Sequence, residues 1–198
     1  MAFSIGGMNI YWYGVCIAVG MCLALVFAFR HSVEFGVDAD AMVDVILIGV
    51  VMGILCARLY YVALSPYQYH SLKDVLAIRD GGLAIYGGII GAFLFGGLAC
   101  KWRKVPVLPM FDLAAMGFLI GQGCGRWGNF FNKEAFGGFT DNLFAMRYQL
   151  SQVRASDVTP DILQNLVTVN GVDYIQVHPT FLYESCLLYT SDAADDSL

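Results

Sequence analysis

Gly121-Gln122-Gly123-Cys124-Gly125-Arg126-Trp127-Gly128-Asn129-Phe130-Phe131-Asn132-Lys133-Glu134-Ala135-Phe136-Gly137 begins as the end of an apolar helix and finishes as a polar loop. At the junction stand a guanidinium, two amides and a carboxylate, with glycines between them. Polar groups at membrane depth are costly, so such a cluster in an apolar chain favours a ligand site. The plainer reading is a helix end capped by its own side chains, with Arg126 reaching to the interface along its apolar stem. Four polar groups between Arg126 and Glu134 weigh toward the ligand site. Just upstream, Gly117, Gly121 and Gly125 recur every four residues, a stripe most simply read as a packing face against another helix.

The rest of the chain agrees with a membrane setting. Of 198 residues, 58% are hydrophobic and 14% charged, whereas a soluble domain carries about a quarter charged residues. A net charge of -5 without a basic block argues against nucleic acid as a partner. The six cysteines form no CxxC pair and mostly lie inside apolar runs, so they read as small core residues, with no metal site expected.

Apolar runs predict spans at about 10–29, 41–64, 83–100 and 107–125, each near the roughly 20 residues that a bilayer requires. The expected fold class is therefore all-α, a polytopic membrane helix bundle. Tyr11, Trp12 and Tyr13 open the first span, where amphipathic rings favour the membrane–water boundary. Arg58 lies inside the second, so it is expected to face the bundle interior with an anionic partner or water. The link after it carries Tyr67, Tyr69, His70, Lys73, Asp74 and Arg79. Gly87 and Gly91 in the third span admit close helix approach.

Residues 126–177 form a small ordered arm. In it Thr159-Pro160-Asp161 reads as the capped start of a short helix and Asn170-Gly171 as a two-residue hairpin turn. A fifth span opens at 181–189 and stops. Residues 190–198 are acidic and polar, expected to be a truncation point or a foreign, disordered tail. Arg30, Lys101, Arg103 and Lys104 place the first and third links in the cytoplasm and the arm outside, with Tyr13, Tyr61, Asp80 and Tyr86 expected near that same outer face.

An arginine at headgroup level, beside two Asn amides, suits a phosphate diester, which a guanidinium binds in two-pronged fashion. Glu134 either orients Arg126 or a substrate hydroxyl, or else pairs with Lys133 or Arg58. Tyr86 is either a hydrogen-bond donor to developing charge or an interface anchor. His178 reads first as a loop or capping residue.

Gly125-Arg126-x-Gly128-Asn129-Phe130-x-Asn132-x-Glu134-x-Phe136-Gly137 resembles the signature of the prolipoprotein diacylglyceryl transferase family. The similarity extends through Phe3-Ser4-Ile5-Gly6, Tyr11-Trp12-Tyr13-Gly14, Ala57-Arg58-Leu59-x-Tyr61-Val62, Asp80-Gly81-Gly82-x-x-x-Tyr86-Gly87-Gly88 and His178-Pro179-Thr180-x-Leu182-Tyr183-Glu184. These motifs run in order from about residue 3 to 185, and together they are far more specific than any one alone.

The resemblance implies a bacterial plasma-membrane enzyme of about seven spans, with its active site toward the extracytoplasmic face. It moves a diacylglyceryl group from phosphatidylglycerol to the lipobox cysteine of a prolipoprotein signal peptide, with no cofactor. Arg126 would bind the lipid phosphate, and Asn129 and Glu134 would join it in the catalytic set, to which Tyr86 is added as a hydrogen-bond donor on its own chemistry. Tyr13, Asn132, Gly137 and Arg58 complete the candidate substrate-binding residues.

The chain departs from the pattern twice. Tyr86 stands where many members have His, and a phenol with a pKa near 10 is a poor base at neutral pH. A further family arginine on a late span lies beyond the residues given, so the chain as given is expected to lack one cationic partner of the phosphate. The competing class is a transporter or channel for an anionic solute, built on a broken helix at 121–137. A weaker one is a structural membrane subunit.

Overall fold

The structure is a computed structural model and describes residues 2–5, 8–65, 69, 71–75, 77–78 and 81–195. Gly6, Tyr67, His70, Arg79 and Asp80, singled out above, lie outside the described residues, as do 196–198. A short antiparallel hairpin, β1 (Phe3–Ile5) and β2 (Met8–Ile10), precedes helix α1 (Trp12–His31). Then come α2 (Ala39–Leu64), the one-turn α3 (Leu72–Val75), α4 (Ile85–Arg103) and α5 (Val107–Asn132). The arm carries β3 (Met146–Gln149), α6 (Pro160–Gln164), β4 (Val167–Val169) and β5 (Val172–Val177), and α7 (Thr180–Asp195) follows. Among the described residues, α1, α2, α4 and α5 are long and apolar enough to cross a membrane. The fold is that of a mostly helical membrane protein.

The chain divides into two compact units, one of Met1–Phe27 with Ala115–Leu198 and one of Ala28–Ala114. In the second, glycine decides how α2 and α4 meet. A Cβ on Gly87 would collide with Tyr60 and lie 2.6 Å from the Cys56 carbonyl. One on Gly91 would collide with the Cys56 Cβ and lie 3.0 Å from the Met52 carbonyl. The small residues let the two backbones approach, as their four-residue spacing predicted. Asp38 caps α2 by accepting the Ala41 N–H at 3.0 Å, and Arg103 pairs with Asp44 at 2.8 Å.

In the first unit the Gly117/Gly121/Gly125 stripe lies against α1. A Cβ built on Gly117 sits 3.5 Å from the Ala24 Cβ, and one on Gly125 sits 3.6 Å from the Ile17 Cδ1. Gly20 of α1 faces Gly121 and Cys124 in turn. The arm is a three-stranded antiparallel sheet in the order β3-β5-β4. Asn170 (φ 51°) and Gly171 (φ 76°) form the turn between β4 and β5, both in the left-handed region that a two-residue hairpin of this twist needs. Its core is Tyr148, Ile162, Ile175 and Val177, with Phe130, Phe136 and Phe139 packed around them.

Three expectations change. Helix α5 does not end at Gly125 but runs unbroken through Asn132, where Trp127, Phe130 and Phe131 make ring contacts with Trp12 of α1, Phe181 of α7 and Tyr148 of the arm rather than entering a loop. The broken helix of the transporter reading is therefore absent up to Asn132. The α6 helix forms, but Thr159 makes no capping hydrogen bond with its side chain; Pro160 at the first turn carries the start. The run after Phe181 continues as helix to Asp195.

Candidate functional site

The site is built on the last two turns of α5. Because the helix continues, Arg126 and Asn129 lie one turn apart on neighbouring positions of one face. The helix then ends with the Lys133 N–H donating to the Phe130 carbonyl (3.1 Å) and the Glu134 N–H to the Asn129 carbonyl (3.1 Å). That paired pattern usually has glycine at the left-handed position. Here Lys133 occupies it with φ 57°, and Ala135 is left-handed as well, at φ 52°. Each costs about 1–3 kcal/mol, a strain that must be held by surrounding contacts.

Those contacts hold Glu134 between the two strained residues. Its carboxylate accepts from the Asn132 amide at 3.1 Å and pairs with Arg154 at 3.4 Å. Two residues on, the Gly137 N–H donates to the His178 carbonyl at 3.1 Å, and the Thr180 hydroxyl donates to the Ala135 carbonyl at 2.5 Å. A Cβ on Gly137 would lie 2.8 Å from the His178 Cβ, so only glycine fits without displacement there. A cavity of ≈ 420 Å³ opens beside this turn, lined by Asn129, Glu134, Ala135, Phe136, Arg154 and Asp157. Its walls offer an amide, two carboxylates, a guanidinium and an aromatic ring.

Arg126 does not line that cavity. Its Nε pairs with the Glu184 carboxylate of α7 at 2.5 Å, with both side chains more than a third exposed. The readings of Glu134 as a partner of Arg126 or of Lys133 are thus corrected. Lys133 donates to Gln152 instead, and Arg154 takes Glu134. Glu184 and Arg154 are the residues that sequence reasoning left without a role. Glu184 had a signal, a lone carboxylate early in an apolar helix. Arg154 had none, being an ordinary arginine in a polar segment.

Tyr13 lies in the same unit, its ring against Gly128. A Cβ there would come within 2.7 Å of the Tyr13 Cδ2, so the glycine makes room for the ring. Trp12 stacks on Phe131 at 5.3 Å, fixing the start of α1 to the end of α5. Tyr148 donates its hydroxyl to the Phe130 carbonyl at 3.2 Å, and burial pushes its pKa up to about 12.

Arg58 and Tyr86 belong to the other unit. Tyr86 is the second residue of α4, with its side chain exposed. Arg58 is only 4% exposed, and among the described residues its partners are backbone carbonyls rather than the expected carboxylate. The guanidinium donates to the carbonyls of Val75 (2.8 Å), Asp74 (2.7 Å), Gly81 (2.6 Å) and Gly82 (3.1 Å). The rings of Tyr61 and Tyr69 flank it at 5.8 and 5.6 Å. Gly82 (φ 74°) has no side chain for a reason: its Cβ would sit 2.7 Å from the Arg58 Nη1. Among the described residues, no group of three or more His, Cys, Asp or Glu is placed to hold a metal ion.

With this geometry in view, the chain matches the family model described as prolipoprotein diacylglyceryl transferase over residues 1–190. It is 41% identical over 185 residues to phosphatidylglycerol–prolipoprotein diacylglyceryl transferase 1 of Clostridium perfringens (strain 13 / Type A), covering 93% of this chain and 65% of that protein. It is 41% identical over 186 residues to the enzyme of that name from Clostridium novyi (strain NT), covering 93% of this chain and 67% of the relative. Against the Bacillus cytotoxicus enzyme the identity is 39% over 186 residues, 93% of this chain and 64% of the relative. The chain spans about two thirds of the length of these curated relatives.

Proposed function

The chain belongs to the prolipoprotein diacylglyceryl transferase family, and on that premise we propose that the protein transfers the diacylglyceryl group of phosphatidylglycerol to the lipobox cysteine thiol of a prolipoprotein. The proposed setting is the bacterial plasma membrane, with the site toward the extracytoplasmic face and no cofactor. One observation carries the reading: a half-exposed guanidinium one helical turn from a polar cavity, at the end of an apolar helix.

In the reaction the cysteine sulfur, as thiolate, attacks the glycerol carbon that bears the phosphoester. A C–S bond forms, the C–O bond breaks, and glycerol phosphate leaves with the electron pair. Arg126 pairs with the phosphate and stabilises the charge that grows on it, a stabilisation that is strongest where water is excluded. Glu184 holds the Nε edge of that guanidinium, which leaves the Nη groups for the lipid. Asn129 and Asn132 supply amide donors, and Glu134, braced by Arg154, accepts from hydroxyl groups of the headgroup. Gly137 keeps the 135–137 segment against 178–180, and Tyr13 closes the α1 side of the end of α5.

The test is mass spectrometry of a lipobox peptide after incubation with the full-length protein and phosphatidylglycerol. A thioether-linked diacylglyceryl adduct with released glycerol phosphate is expected. Flux of an anionic solute across sealed vesicles without a covalent product would overturn the proposal.

A further inference from the structure

The arm has two ends, a base and a distal turn. Its base is where α5 leaves and α7 begins, tied together by the Gly137–His178 and Thr180–Ala135 hydrogen bonds. The Asn170-Gly171 turn closes the other end of β5, about 17 Å from the base along a six-residue strand. The distal turn itself is Asn170-Gly171, flanked by the exposed Val169 and Val172, with the Thr168 hydroxyl donating to Asp173 at 2.6 Å.

A second turn projects from the base. Phe139 bridges Val177, and Met146 pairs with the same Val177, so residues 140–145 leave and rejoin the sheet at one point. Val177 lies three residues before α7 starts at Thr180. The turn is ordered: the Ala145 N–H donates to the Asn142 carbonyl at 2.9 Å, and the Asn142 N–H to the Thr140 hydroxyl at 3.3 Å. Thr140 itself is buried, and its carbonyl accepts from Gln176 at 2.8 Å. The two central residues are Leu143, 93% exposed, and Phe144, 64% exposed. A rigid turn that presents Leu and Phe to water at its apex is an unfavourable choice unless something apolar meets it.

The level of the turn names the partner. Helix α5 is apolar enough to cross a membrane and ends at the arm's base, so the base stands at the membrane boundary. A leucine and an aromatic ring at that level match the acyl–headgroup boundary of a bilayer. We propose that the 142–145 turn inserts Leu143 and Phe144 into the lipid interface and pins the base of the arm to the membrane surface. This does not depend on the reaction assigned above.

The experiment replaces Phe144 with photoreactive benzoylphenylalanine in the full-length protein. The protein is irradiated in vesicles of phosphatidylethanolamine and phosphatidylglycerol, with the same replacement at the exposed distal residue Val169 as a control. Lipid adducts at 144 and none at 169 are expected. No lipid adduct at 144, equal adducts at both positions, or capture of an added prolipoprotein peptide in place of lipid would overturn the proposal. Because Phe144 makes no core contact in the arm, Phe144→Trp serves as an independent readout. Its added emission is expected to be quenched by brominated lipid chains, and unquenched emission at the wavelength of exposed tryptophan would count against the proposal.

Discussion

On α2, Arg58 is 4% exposed and gives its N–H groups to four backbone carbonyls. On α5, Arg126 is more than a third exposed and meets a single carboxylate, Glu184. Both are arginines near the end of an apolar helix, yet the protein uses them differently. The first spends its donors on part-buried hydrogen bonds to the carbonyls of Asp74, Val75, Gly81 and Gly82, backbone acceptors that a folded chain must satisfy. The second meets one carboxylate through its Nε, and the proposed lipid-binding role requires the donors that this leaves. Distance from a helix end does not separate these roles; what the guanidinium is already bonded to does.

The comparison breaks first at Arg126. Arg126→Lys is expected to lower diacylglyceryl transfer by about 10²–10³-fold, the usual cost of one donor at a developing oxyanion, while thermal unfolding in detergent stays close to wild type. Retained activity would remove Arg126 from the site. Arg58→Lys should do the reverse. An ammonium cannot reach four carbonyls in two directions, so the variant is expected to lose about 2–4 kcal/mol of stability, read as a lower melting temperature. A stable Arg58→Lys protein with weakened lipid binding would restore the substrate-binding reading of Arg58.

The smallest effect sharpens the point with an uncharged group. Tyr148, like Arg58, is buried and spends its donor on a backbone carbonyl. Its folded pKa of about 12 lies above the ordinary 10.0. Below pH 10 the phenol is protonated in both states and its contribution is whole. From pH 10 to about 12 the unfolded chain ionises first, so stability falls as pH rises. Tyr148→Phe is expected to cost about 1 kcal/mol at neutral pH and to flatten the alkaline loss in a melting-temperature series.

Much of the site was legible because its residues are close in sequence. Asn129, Asn132, Glu134 and Gly137 fall within nine positions, and a helix end followed by a tight turn keeps such neighbours together. The partners were not legible. Glu184 lies fifty-eight positions beyond Arg126 and Arg154 twenty beyond Glu134, and nothing in local spacing says which carboxylate a given cation will meet. The end of α5 was misplaced for a related reason. Gly125 and Gly128 look like helix breakers in isolation, but Tyr13 packs into the space that Gly128 leaves, and Phe130 and Trp127 are held by Phe181.

By itself the sequence determined that four helices are apolar enough to cross a membrane, that glycine faces would bring helices close, and that a cluster of polar groups would sit at the end of α5. Hydrophobic length and residue spacing are local properties, and they survive without knowledge of the fold. Only the tertiary structure decided which arginine was bound by backbone and which by a carboxylate. It also decided that the turn bearing Leu143 and Phe144 belongs to the arm's base. Those outcomes depend on strand register and on contacts between distant segments, and a one-residue shift in either would rearrange them.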